Sequence, residues 1–276
     1  MTTSSVEIHG ARFNCRFDGS PAAPVFLLSN SLGTNLAMWD AQIPEFARHF
    51  RVLRYDSRGH GASAVTPGPY SIAQLTGDAL ALLDAFDIER ACFCGLSMGG
   101  VVGIWLGAHA PERIDRLILC NTSPKIGTPE LWNARIDAVR RGGVAAIADA
   151  VLERWFTARF REHEPRTVAW MRAMLSSTPS DGYIASCAAL RDMDQREALP
   201  AIRRPTLVIA GTHDITTPAA EGRRMAERIQ GARYVELDAV HISNVEAPAP
   251  FTRSVLDFLT SQEETQWTNG TATRPE

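Results

Sequence analysis

The chain reads as an α/β protein: a mainly parallel, twisted sheet flanked by helices and interrupted by a helical insertion. Three observations predict this. Segments such as Val25-Phe26-Leu27-Leu28 and Leu207-Val208-Ile209-Ala210 are continuously apolar, as strands buried on both faces of a parallel sheet must be. Helical patterns alternate with these segments, which is the order of a doubly wound sheet. Between Pro124 and Pro200 the alternation stops, and apolar residues recur only at helical spacing.

In chain order, strands are expected at 12–17, 25–30, 51–56, 91–95, 116–122, 206–211 and 233–238. Helices are expected at 72–86, 101–110, 219–230 and 251–259. Inside the insertion Val144, Ile147, Ala148, Val151, Leu152 and Trp155 form one helical face. Val168, Met171 and Leu175 form a second, and Tyr183, Ile184, Cys187 and Ala188 a third. The resulting division is a core over 1–123, an insertion over 124–200, a resumed core over 201–260 and a polar tail over 261–276. The tail is expected to be disordered. The insertion leaves from a strand end at Cys120-Asn121-Thr122, so it is expected to act as a lid over an active site.

With 276 residues, 45% of them hydrophobic, the chain can bury a large core. A net charge of -3 gives no electrostatic case for nucleic acid. No apolar run approaches the ~20 residues that span a bilayer, and no basic-then-apolar leader opens the sequence. Three of the five cysteines (Cys15, Cys92, Cys94, Cys120, Cys187) lie inside apparent buried strands, and the odd, scattered set suits a reducing cytoplasm. Cys92-x-Cys94 has no second ligand pair, so metal binding is not expected there. Asn269-Gly270-Thr271 matches a glycosylation acceptor and, with no secretion expected, is expected to be idle.

The segment richest in chemistry is Gly95-Leu96-Ser97-Met98-Gly99, which follows an apolar run and precedes a helical one. A serine on so sharp a strand-to-helix turn is held in a strained conformation with its oxygen exposed, and the glycines relieve collisions across the turn. A serine hydroxyl needs a base, and the base needs an orienting acid. On such an elbow the acid and then the histidine follow later strand ends. Thr206–Gly211 is followed by Thr212-His213-Asp214, which makes Asp214 the acid. The last strand is followed by Ala239-Val240-His241, which makes His241 the base. His213 and Asp238 compete less well. Met98, directly after the serine, supplies one amide for the oxyanion. His60, in Asp56-Ser57-Arg58-Gly59-His60-Gly61-Ala62-Ser63, is expected in a structural turn where Asp56 pairs with Arg58.

These motifs resemble the α/β-hydrolase superfamily over about residues 5 to 260. Finer matches are similar to the 3-oxoadipate enol-lactonases: Leu28 to Thr34 with Met38-Trp39-Asp40, Asn121 to Gly127, Trp132 to Ile136, Tyr183 to Asp192, and His241 to Pro248. The resemblance implies opening of a small enol-lactone to 3-oxoadipate, a step in bacterial degradation of aromatic compounds, through an acyl-enzyme and without cofactor. It implies Leu32 as the second oxyanion amide. Asn30-Ser31 stands where related enzymes carry His-Gly, which leaves room for a shift of one residue. The substrate would be a small molecule with one free carboxylate. Candidates to hold it are Trp132, whose N–H can donate, with Asn30, Ser31, Lys125, Arg135 and Arg191. A general carboxylesterase, a C–C hydrolase or a perhydrolase would use the same frame, and a hydrolase-like ligand sensor would turn over slowly.

Overall fold

The computed structural model describes residues 2–261. The tail from 262 onward, with the Asn269 motif, lies outside the described residues. Eight strands form one sheet: β1 (Thr2–Ile8), β2 (Ala11–Asp18), β3 (Val25–Ser29), β4 (Arg51–Tyr55), β5 (Ala91–Leu96), β6 (Ile114–Cys120), β7 (Thr206–Gly211) and β8 (Arg233–Leu237). Their order is β1-β2-β4-β3-β5-β6-β7-β8, with β1 and β2 antiparallel additions and every pair from β4 to β8 parallel. Strand β1 was not foreseen. It pairs only with β2, so it lies at an edge where a half-polar sequence suffices.

All six residues of β5 and all six of β7 are buried, as their apolar runs require. Helices on the two sides are α1 (Ile43–Phe46), α2 (Ile72–Ala85) and α3 (Met98–His109). The Ser71 hydroxyl caps α2 by accepting the Gln74 N–H, and Ile72, Leu75, Ala79, Leu82 and Leu83 form its buried stripe. Asp78 is also buried on α2, where both its oxygens meet the Arg58 guanidinium, at 2.8 and 2.5 Å. Asp56 therefore does not pair with Arg58. It accepts instead from Asn14 Nδ2 and from the Leu36 and Ala62 amides at 2.8–2.9 Å. A second buried cation, Arg54 on β4, bonds Asp18 at 2.7 Å and Asp40 at 2.6 Å. Removing one partner from such a pair costs about 3–5 kcal/mol.

Between β6 and β7 the described residues hold only helices: α4 (Pro129–Gly142), α5 (Ala148–Trp155), α6 (Ala158–His163), α7 (Pro165–Ser176) and α8 (Ser180–Asp192). The expected first face is split, because Val144–Ile147 makes a separate tight turn before α5. Thr128 caps α4, and Gly143 ends it at a φ of 71° that favours glycine. The chain closes with α9 (Ala219–Arg228), α10 (Ser243–Glu246) and α11 (Pro248–Thr260). The ends of β5, β6, β7 and β8 all point to the same edge of the sheet, where the candidate site lies.

Candidate active site

Ser97 joins β5 to α3 at φ 56°, a left-handed value that costs about 1–3 kcal/mol for a residue with a side chain. The turn is held by the Ser97 N–H donating to the Cys120 carbonyl at 2.9 Å and the Thr122 hydroxyl donating to the Ser97 carbonyl at 2.8 Å. A Cβ on Gly95 would strike the Gly99 carbonyl, and one on Gly99 would strike the Ser29 carbonyl. Only glycine fits either place.

Asp214 and His241 come to this serine from the ends of β7 and β8. The Ser97 Oγ lies 2.8 Å from His241 Nε2, and His241 Nδ1 lies 2.8 Å from Asp214 Oδ2. The carboxylate is surrounded by donors. Oδ1 accepts the Thr216 and Thr217 amides at 2.8 and 3.0 Å. Oδ2 accepts the Thr217 hydroxyl at 2.8 Å and Asn121 Nδ2 at 3.2 Å. Burial pushes the Asp214 carboxyl up, but the neighbouring His241 ring and the hydrogen bonds outweigh it and hold the carboxyl below its ordinary value. An ionised Asp214 accepts a hydrogen bond from Nδ1–H, so the Nε2 lone pair faces the serine hydroxyl. His213 and Asp238, the rivals in the sequence, bond each other at 2.8 Å on the exposed surface.

The base is also tied to the insertion. The His241 and Ile242 amides both donate to the Trp155 carbonyl at 3.2 Å. Glu246 accepts the Val240 amide at 2.7 Å with one oxygen. Its other oxygen accepts the Thr157 amide and hydroxyl at 2.8 and 2.7 Å. Sequence reasoning missed Asn121, Thr217 and Glu246. Asn121 carried one signal, a polar residue at a buried strand end.

Met98 opens α3 directly after Ser97, and Leu32 lines the same chamber as Ser97 and His241. Among the described residues neither the Leu32 nor the Met98 amide donates to a protein group. The Ser31–Thr34 segment is a turn, closed by the Thr34 amide on the Ser31 carbonyl at 3.2 Å. Its Gly33 has φ 78° and donates its amide to His60 Nε2 at 3.0 Å.

The chamber at Ser97 is small, about 30 Å³, and is walled by Ser31, Leu32, Trp132, Arg135, Arg154 and Tyr183 among others. Trp132, Arg135, Val151 and Arg154 also line an outer chamber of about 500 Å³ that carries the exposed Leu131 and Ile215. Trp132 lines the chamber, and its indole N–H donates to the Ile126 carbonyl at 2.6 Å and is not free for a ligand. Arg135 lies over the Trp132 ring, 5.1 Å from its centre. Arg154 was not foreseen. Burial, and then the nearby Arg135 charge, lower the Arg154 guanidinium from its ordinary value. Among the described residues neither arginine forms an ion pair with a carboxylate, although the Glu153 charge acts on Arg154 and Arg135 bonds the Tyr183 hydroxyl.

Three other candidates lie elsewhere. Asn30 is fully buried, with Nδ2 donating to the Tyr55 carbonyl and Oδ1 accepting Trp39 Nε1, at 2.7 and 2.9 Å. Lys125 pairs with Asp194 at 3.5 Å on the far side of the Ile126 loop. Arg191 is taken by Asp192 and Asn133. Among the described residues no three His, Cys, Asp or Glu side chains group as metal ligands, and no helix is long and apolar enough to cross a membrane.

Comparison with known proteins identifies the family. The family described as alpha/beta hydrolase fold matches residues 24–248. The 3-oxoadipate enol-lactonase 2 of Acinetobacter baylyi is 43% identical over 255 residues, 92% of this chain and 94% of that protein. The same organism's 3-oxoadipate enol-lactonase 1 is 37% identical over 252 residues, 91% of this chain and 94% of that one. The crystal structure of the enol-lactonase from Burkholderia xenovorans superposes with a TM-score of 0.93 at 50% identity, covering 94% of this chain and all of that one. The chain belongs to the α/β-hydrolase fold family, and is a hydrolase resembling the 3-oxoadipate enol-lactonases.

Proposed function

We propose that this protein opens a small enol-lactone carrying one free carboxylate, 3-oxoadipate enol-lactone, to the open-chain 3-oxo acid. Ser97 Oγ attacks the ring carbonyl carbon while His241 Nε2 takes the hydroxyl proton. The Leu32 and Met98 amides receive the oxyanion. Collapse breaks the bond to the ring oxygen, which leaves as an enolate still attached to the acyl group. His241 returns the proton, and the enol becomes the ketone. A water, deprotonated by His241, then releases the acid and restores Ser97. Asp214 holds the ring in the tautomer both steps need.

The observation that carries the reading is the pair of arginines, Arg135 and Arg154, facing the serine chamber and ion-paired with no carboxylate among the described residues. Two half-buried guanidiniums that repel one another favour an anion between them. The substrate carboxylate is that anion, and the insertion over 124–200 then serves as a lid that sets specificity. The activity for which the relatives are named supports the same substrate, and the reaction would then serve the breakdown of aromatic compounds. The apolar outer chamber favours a second reading, a general carboxylesterase for larger esters.

The test is the loss of enol-lactone absorbance on adding protein, run beside p-nitrophenyl acetate, a no-enzyme control and Ser97→Ala. Fast lactone loss with feeble ester cleavage is expected, and Ser97→Ala should match the control. Strong ester cleavage without lactone turnover would move the protein to the second reading.

A further inference from the structure

His60 is one of the buried polar groups that the proposed chemistry leaves unused. It is fully inaccessible to solvent, at 0% exposure. Each ring nitrogen has one partner: Nε2 lies 3.0 Å from the Gly33 amide and Nδ1 lies 3.1 Å from the Arg58 carbonyl. An amide can only donate, so Nε2 presents its lone pair and Nδ1 carries the hydrogen that goes to Arg58. Both bonds require the neutral ring. Burial lowers the ring's pKa, against the opposing effects of the Arg58 carbonyl and the Asp56 carboxylate, and so keeps it neutral.

The bond matters because of where Gly33 sits. Leu32 and Gly33 are the central residues of the turn closed by Thr34 on Ser31, and the Gly33 φ of 78° is that of a type II turn. A type II turn differs from type I by rotation of its central peptide. That peptide is the one whose N–H belongs to Gly33. The insertion limits where the turn can lie, since a Cβ on Gly33 would meet Leu175 at 2.5 Å and Tyr183 at 3.1 Å. Packing of that kind does not decide which way the peptide faces. A lone pair waiting at Nε2 does.

The geometry points to His60 as a positioning residue for acyl transfer: its neutral ring holds the Gly33 amide, anchors the Ser31–Thr34 turn to the His60 loop, and so keeps the Leu32 amide, one peptide earlier in that turn, in place for the oxyanion. The inference rests on the reading of Leu32 as an oxyanion donor. It makes the loop carrying His60 part of the chemistry, although no atom of His60 touches the substrate.

Two substitutions separate the bonds. In His60→Gln the terminal amide oxygen takes the place of Nε2 and can still accept from Gly33. In His60→Asn the shorter amide takes the place of Nδ1, keeps Arg58 and leaves Gly33 without a partner. Hydrolysis of p-nitrophenyl acetate is measured for both, with inhibition by phenylboronic acid, whose serine adduct is tetrahedral. A direct oxyanion donor is worth about 10²–10³ in kcat, so losing its positioning should cost about tenfold or more. His60→Asn should show that loss with KM within about twofold, and boronate affinity should weaken in step. His60→Gln should stay within about threefold of wild type in both. Equal kcat in two variants that melt like wild type would overturn the inference, as would undiminished boronate affinity in the Asn variant. Should the Asn variant not fold, the Gln variant decides, and a loss of about tenfold in a folded protein overturns the inference. Ser97→Ala is run alongside. If it retains activity the acyl-enzyme reading falls, whereas an inactive Ser97→Ala with equal His60 variants sinks only the role of His60.

Discussion

Asp214→Asn removes one charge and keeps the shape, so its effect can be worked out atom by atom. The position of Oδ1 receives two backbone amides, from Thr216 and Thr217, and neither can turn away. The asparagine oxygen must therefore sit there, and its NH₂ must take the position of Oδ2, facing His241 Nδ1. That NH₂ can only donate. The ring then offers Nδ1 as the acceptor and carries its hydrogen on Nε2, which points at Ser97 Oγ. The serine faces a donor where it needs a base. In a triad that keeps its geometry, this change costs about 10⁴ in kcat, or about 5.4 kcal/mol. Asp214 does not line the chamber, so KM should change by less than about twofold. Stopped assays with p-nitrophenyl acetate and with the lactone, corrected by the Ser97→Ala rate, would measure this. A variant that melts like wild type and keeps more than about a tenth of kcat would refute the assigned tautomer.

Arg154→Met should raise KM for the carboxylate-bearing lactone about 10- to 100-fold, the worth of a charge-assisted bond at ~1.5–3 kcal/mol, and leave p-nitrophenyl acetate kinetics nearly unchanged. An equal loss on both substrates would argue against carboxylate binding there. Gly99→Ala should lose at least about 2 kcal/mol in urea unfolding, because the new methyl meets the Ser29 carbonyl rather than a movable side chain. The native Asp214 carboxyl is held below its unfolded value, so its stabilisation is complete above about pH 3.9 and fades as pH falls through the native value. The stability gap between wild type and Asp214→Asn should therefore narrow from about pH 6 to about pH 3, and a gap that widened toward acid would contradict the assignment.

The strands buried on both faces were readable because runs such as Leu207 to Ala210 are short and bounded by turn residues, whereas the equally apolar α3 runs on for twelve residues. Strand β1 was not, because an edge strand such as Thr2–Ile8 needs apolar residues on one face only, and here it shows just Val6 and Ile8. Ser97, Asp214 and His241 were readable because each follows a recognisable strand end. The choice among the insertion's cations was harder. Arg135 follows Trp132 by three residues, and Arg154 follows Val151 by three, so each shares a helical face with a residue that lines the chamber. That spacing was a usable signal for both. Lys125 and Arg191 have acidic partners at Asp194 and Asp192, and such pairing across a fold or along one helix turn carries no reliable mark in a single sequence. The fate of the Trp132 N–H was equally hidden, because its acceptor is a backbone carbonyl.

The bonds from Trp155 and Thr157 to the His241 loop have a consequence for anyone exchanging substrate preference between relatives. A graft that replaced everything between β6 and β7 as one cassette would remove the carbonyl that receives the His241 and Ile242 amides and the partner of Glu246. The recipient would inherit a new pocket and a loosened base. A cassette limited to α4 exchanges Trp132 and Arg135 and leaves those bonds intact. The α4 share of selectivity can thus be transplanted alone, whereas the share carried by Arg154, next to Trp155 on α5, travels with the bonds that hold the base.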